Sequence, residues 1–221
     1  QDEFALNSQR KWAAAQNDGK FKNELLPLKL SGKKGQIISF DQDEYPRPDS
    51  DSEKLAALKP SFKKDGTVTA GNASGINDGA ALVAIMSDEE ADARNMTTMA
   101  EIVSYASCGL DPAFMGLGPI AASRKALEKA GLTISDIDLF EINEAFASQA
   151  LAVKDDLGIP EEKLNVNGGA IAMGHPIGAS GARIVVTLLH EMVRRNLKLG
   201  LASLCIGGGQ GIAMVFRRER S

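Results

Sequence analysis

DLFEINEAFASQALAVKDDLG, residues 138–158, reads as a strand that runs directly into a helix. Leu139, Phe140 and Ile142 make a short apolar run, a helical pattern takes over across 143–157, and Gly158 supplies a stop. The same alternation repeats on both sides. Upstream, a strand is expected at about 100–106 and a helix at 118–130 closed by Gly131. Downstream come a helix at about 180–195 and two apolar strands, GLASLCI and GIAMVFRR, joined by GGGQ. Strands that alternate with helices and close on a hairpin predict an α/β layered fold.

The first 64 residues are less regular. A helix is expected at about 2–17, with Phe4, Ala5, Ser8, Trp12 and Ala15 on one face, and then an apolar patch, LLPLKL, and a polar loop, DQDEYPRPDSDSEK. The sequence opens without Met and directly in helix-like residues, as a chain beginning mid-domain would. From 64 to 87 the pattern predicts a turn, a strand through Val68, a Gly/Asn/Ser loop and a buried strand at about 80–86. DEEADARN then reads as a solvated helical turn.

Composition narrows the function. With 221 residues, 43% of them hydrophobic, the chain can bury a sizeable core. Its 25 basic and 29 acidic residues are interspersed, so no basic stripe for nucleic acid is present. Cys108 and Cys205 have neither CxxC nor metal-ligand spacing, which predicts no metal site and a reducing, cytoplasmic setting. No apolar run reaches membrane-spanning length.

Three places carry chemistry. In NVNGGAIAMGHPIGASGARI, residues 165–184, five glycines (Gly168, Gly169, Gly174, Gly178 and Gly181) surround His175, one of two histidines. Pro176 restricts the backbone beside it, predicting a rigid, close-packed loop, with Ser180 as a cap for the next helix. That helix would turn positions 182, 185, 186, 189, 192 and 193 toward a core, and His190 reads as an ordinary helix residue. Cys205 ends an apolar strand before three glycines, so the thiol is either reactive beside open backbone N–H groups or simply packed. Asn143 and Glu144 lie where strand meets helix, in position to cap the helix or to face a site. GLGPIA, 116–121, imitates a dinucleotide fingerprint, but the preceding strand ends about ten residues too early for that turn.

Taken in order, AGNASGINDGAA, MGLGP, NEAF, NVNGGAIAMGHPIGASGAR and CIGGGQG resemble the C-terminal part of the thiolase family, nearest its biosynthetic acetyl-CoA acetyltransferase branch. The resemblance implies a mixed β-sheet covered by helices. It implies three regions: residues 1–75 as the remainder of an inserted loop domain, 76–97 as the last elements of an N-terminal domain, and 98–221 as a C-terminal domain. It also implies a reaction, the Claisen condensation of two acetyl-CoA to acetoacetyl-CoA and CoA, or its reverse. Coenzyme A is carrier and substrate, and no permanently bound cofactor is expected.

Roles follow by resemblance. His175 donates to the enolate oxygen and activates the nucleophile, Asn143 fixes a water that donates alongside it, Cys205 is the acid/base, and the Gly207 N–H helps hold the acylation oxyanion. Such a thiol needs its thiolate favoured near neutral pH. Ser74 and Ala70 match the pantetheine loop, Arg47 the nucleotide end of CoA, and Met115 and Phe146 the acyl tunnel. Lys54 departs from a small hydroxyl residue near the adenine, so that contact is not carried over. The acylated cysteine belongs to a family segment with no counterpart here, and Cys108, in YASCGLDP, lacks its motif and reads as packed. The chain alone is therefore expected to be inactive, its partners being a complementary N-terminal half and copies of itself in a homotetramer. A degradative 3-ketoacyl-CoA thiolase and a non-catalytic CoA-binding half are the alternatives.

Overall fold

The computed structural model describes residues 1–218; the last three residues of the expected C-terminal domain lie outside them. Helix α1 (Asp2–Asn17) forms where the sequence predicts it and buries Ala5, Leu6, Ser8, Gln9, Trp12 and Ala15. LLPLKL contributes to a hairpin the sequence did not suggest, β1 (Leu28–Ser31) against β2 (Ile37–Phe40), exposed along its length. Two short helices follow, α2 (Ser52–Ala56) and α3 (Asp88–Ala93), capped by the side chains of Asp51 and Ser87.

Two expected strands do not form. Val68 lies beside a single bridge, Pro60 to Thr69, and residues 80–86 have no strand at all, with Leu82 and Ile85 85% and 70% exposed. An apolar run becomes a strand only with a partner for its N–H and C=O groups, and the described residues offer this one none.

From residue 101 the pattern holds. β3 (Glu101–Gly109), α4 (Gly118–Ala130), β4 (Leu139–Ile142), α5 (Ala147–Leu157), the single turn α6 (Ala170–Met173), α7 (Ser180–Arg194), β5 (Leu199–Ile206) and β6 (Gln210–Arg217) complete the chain. The sheet order is β3-β6-β5-β4, with β4 parallel to β5 and the other pairs antiparallel. This is the mixed sheet of an α/β architecture. Alternate strand residues face opposite ways: Phe140, Ile142, Leu201, Ala213 and Val215 pack with α4 and α5, while Leu139, Ala202 and Phe216 pack with α7.

Two helix readings need correction. α5 begins at Ala147 rather than 143, because Asn143 still pairs with the sheet, its N–H donating to Ser203 O at 3.0 Å. α7 buries Ser180, Ile184, Thr187, Leu188, Glu191 and Met192, a face displaced from the expected stripe, of which Met192 is buried and Val185 and Leu189 pack at the edge of the core. Polar partners account for the displacement: Asn167 donates to Glu191 at 2.7 Å and Thr187 to Glu24 at 3.4 Å, so two polar residues can sit inward.

Candidate active site

Parallel pairing brings the C-terminal ends of β4 and β5 to one edge of the sheet, the side where open α/β sheets hold ligands. Asn143 leaves β4 there, fully buried, and Cys205 lies near the end of β5, two residues past the Ser203 that Asn143 pairs with.

His175 reaches this edge from a separate loop. Its backbone N–H donates to Gly75 O at 3.0 Å and to Asn77 Oδ1 at 3.3 Å, tying it to the segment that carries Ser74. Its ring lies between two side chains, Nε2 3.4 Å from Asn143 Nδ2 and Nδ1 2.5 Å from Ser180 Oγ. Burial, reinforced by the charge of Arg183, lowers its pKa and so favours the neutral imidazole. Gly174 permits the approach: its φ is +95°, and a Cβ there would lie 2.3 Å from Asn77 Oδ1. Gly174→Ala is expected to cost about 2 kcal/mol in stability, read as a lower denaturant midpoint.

His175 faces a cavity of about 380 Å³ whose walls also include Ala70, Ser74, Met115, Phe146, Cys205 and Gly207. Ser74 is held by Ala145 O, to which its N–H and Oγ donate at 3.1 and 3.0 Å. Phe62 meets Phe146 edge to face, with centroids 5.8 Å apart. Burial pushes the Cys205 thiol above its ordinary pKa, and among the described residues no cation offsets the desolvation.

Arg47 is elsewhere. It lines a second cavity of about 230 Å³ with Tyr45, Ser50 and Gly71, and its Nη1 donates to the carbonyls of Glu44, Tyr45 and Pro46. Ala70 lines both cavities. Lys54 is exposed and caught between Asp49 and Asp51 at 3.5 and 3.4 Å.

The comparisons with known proteins can now be set beside this geometry. Residues 96–218 match the family described as thiolase, C-terminal domain, and residues 1–89 match thiolase, N-terminal domain. The chain belongs to the thiolase family. It is 57% identical over 218 residues to the acetyl-CoA acetyltransferase of Chromobacterium violaceum, a match covering 99% of this chain and 56% of that protein. Among solved structures, the Bacillus anthracis acetyl-CoA acetyltransferase superimposes with TM-score 0.95 at 49% identity, covering 98% of this chain and 55% of its own. Human mitochondrial 3-ketoacyl-CoA thiolase in complex with CoA follows with TM-score 0.91 at 47% identity, covering 99% and 54%. The thiolase chain described here thus spans about half the length of the relatives it matches. No described helix is long and apolar enough to cross a membrane.

In this thiolase several residues act differently from their local reading. Neither Asn143 nor Glu144 caps α5, whose cap position is Phe146 without a side-chain bond. Ser180 is not a cap either, since its hydroxyl serves His175 and Pro176 O. Of the five glycines around His175, Gly178 and Gly181 have open space where a Cβ would be, so close packing explains only the other three. Gly118, in the fingerprint-like GLGPIA, lets α4 approach β6, where a Cβ would come within 2.5 Å of Gln210 O. Cys108 is half-buried against the core, with its thiol 3.3 Å from Gly118 O. Residue-by-residue reading missed Asn77, Phe62 and Asn165, since a lone Asn or Phe carries no periodic signal, and it placed Ser8 on the inward face of its helix without assigning it a partner.

Proposed function

We propose that the large cavity handles the thioester of coenzyme A, and that the chain serves an acetyl-CoA acetyltransferase, joining two acetyl-CoA into acetoacetyl-CoA and CoA or reversing that step. The observation that carries this reading is that His175, paired with Asn143, lines the same cavity as the Cys205 thiol. The α-proton of a thioester is weakly acidic, so removing it requires a base at the carbon and donors at the oxygen. Cys205 is the base in its thiolate form, and protonated His175 Nε2 is a donor. One proton moving from Cys205 to His175 supplies both states at once. Asn143 Oδ1 has no protein partner among the described residues and is free to accept from a water that completes the oxyanion site. Gly207 borders the same space and offers its N–H to the oxyanion of the acyl-transfer step.

The two solved relatives support the carrier, one of them being a complex with CoA, and the identity to acetyl-CoA acetyltransferases favours the short acyl group. Within this reading Ser74 and Ala70 hold the pantetheine arm, Arg47 meets the nucleotide end across the second cavity, and Met115 and Phe146 bound the acyl group. Condensation also needs an acylated thiol, and neither Cys108 nor Cys205 is assigned that part. A complementary segment of the thiolase supplies it, in a homotetrameric assembly.

Incubating the chain with acetyl-CoA in D2O tests the proposal. Deuterium is expected to enter the acetyl methyl group above the buffer rate, without acetoacetyl-CoA and without an acetyl adduct in the intact mass. Cys205→Ala and His175→Ala are each expected to slow exchange about 100-fold, in the range of a lost general base or oxyanion donor. Exchange at the buffer rate, or exchange unchanged in both variants, would overturn it.

A further inference from the structure

The Ser180 hydroxyl has one proton and two neighbours. It lies 3.0 Å from the carbonyl oxygen of Pro176 and 2.5 Å from Nδ1 of His175. A carbonyl oxygen can only accept, and with the hydroxyl donating to Pro176, which also accepts the N–H groups of Ala179 and Ser180, Ser180 Oγ is left to accept from the ring. On the opposite side of the ring, the amide nitrogen of Asn143, which can only donate, faces Nε2 at 3.4 Å. Both sides call for the same proton arrangement.

We propose that Ser180 is a positioning residue that holds neutral His175 as its Nδ1–H tautomer, leaving the Nε2 lone pair directed at Asn143 and the cavity. The inference rests on the reading of His175 as the acceptor of the Cys205 proton, and it supplies what that reading needs: a nitrogen that begins as an acceptor and becomes an N–H donor after taking a proton. Free histidine side chains prefer the opposite tautomer, so a specific partner is required to hold this one. Ser180 is well suited to this. It is fully buried at the first turn of α7, and its own N–H is held by Pro176 O at 2.8 Å, so the hydroxyl is placed by the same loop that places the ring.

The test reads the ring nitrogens directly. Proton–nitrogen correlation spectra of the full chain with 15N-histidine distinguish the protonated nitrogen from the bare one. With only two histidines in the sequence, His190→Gln assigns the signals. In the wild type at pH 8, His175 is expected to carry its proton on Nδ1. In Ser180→Ala the ratio of Nδ1–H to Nε2–H is expected to fall about tenfold, the factor a single buried hydrogen bond carries. Ser180→Thr, which keeps the hydroxyl, is expected to restore it. A wild-type proton on Nε2, or a Ser180→Ala spectrum unchanged from wild type, would overturn the assignment. The wild-type spectrum decides even if the variants fail to fold. No acetyl-CoA is present, so this outcome is independent of the exchange assay.

Discussion

Replacing Glu144 with alanine is expected to cost about 4 kcal/mol of folding stability, among the larger effects of any single substitution in this chain. Glu144 is 1% exposed, and its carboxyl group accepts three hydrogen bonds, from Ser8 Oγ at 2.7 Å, Asn165 Nδ2 at 2.8 Å and the N–H of Ile171 at 3.1 Å. Each donor comes from a different element: α1, the turn after residue 164, and α6. Alanine would leave all three in the interior without an acceptor. The network continues outward. Asn165 matches both backbone groups of Ile142, accepting from its N–H at 2.9 Å and donating to its carbonyl at 2.8 Å, and so acts as one more partner at the edge of β4. Ser8 Oγ also accepts from the N–H of Gly169 at 3.0 Å, and a Cβ on Gly169 would lie 2.2 Å from the Glu144 carboxyl carbon. Because Glu144 follows Asn143 and holds the turn leading to His175, the loss is expected to loosen both. Denaturant unfolding gives the energy, and amide exchange across 165–175 locates it. Glu144→Gln, which sets one N–H2 against a donor, is expected to cost only about 1–2 kcal/mol. A change below 1 kcal/mol in the alanine variant would remove Glu144 from this role.

The second large effect depends on pH. Glu141 points to the α7 side of the sheet, fully buried, and its Oε2 is 3.6 Å from Arg183 Nη1, with neither atom hydrogen-bonded among the described residues. An arginine at that distance ordinarily holds a carboxyl group down. Here burial outweighs it, with Glu144 and Glu24 adding to the rise, and the Glu141 pKa is pushed up to about 8. Glu24, near the same arginine, is raised to about 7 by burial.

The direction follows from proton binding. Between the unfolded value of 4.5 and about 8, the folded state keeps the Glu141 proton and the unfolded state does not. Stability from this group is therefore full below pH 4.5 and lost as pH rises toward 8. Glu141→Gln, neutral at every pH, should be more stable than wild type by about 3 kcal/mol at pH 7, and the advantage should vanish near pH 4.5. Melting temperatures of the two proteins from pH 4.5 to 8.5 measure it. Parallel curves would mean that Glu141 is ionised and paired in the native state.

Much of the architecture was legible before any coordinates. The strand at 138–142, the helix stops at Gly131 and Gly158, and the closing hairpin all follow from local periodicity and turn chemistry, and each forms in place. Where reading failed, a partner distant in sequence decided the outcome. Residues 80–86 have the composition of a strand but, among the described residues, no neighbour to pair with. The first residues assigned to α5 stayed in the sheet because Ser203 offered a carbonyl, and α7 turned two polar residues inward because Asn167 and Glu24 met them.

The candidate site divides in the same way. The sequence by itself singled out the candidate residues, because the run around His175, NEAF and CIGGGQG are distinctive in order and content, and it determined the alternation of strands and helices that builds the sheet. Only the tertiary structure decided what those residues do to one another. Ser8 meets Glu144 across 136 residues and His175 is anchored to Asn77 across 98, and nothing periodic links such positions. Serine and asparagine beside a helix start are good caps in isolation, and glutamate is favoured in the first turn. Folding brought each of them a buried partner worth more than the cap, and the desolvation cost of leaving such a partner unmet made the long-range contact prevail.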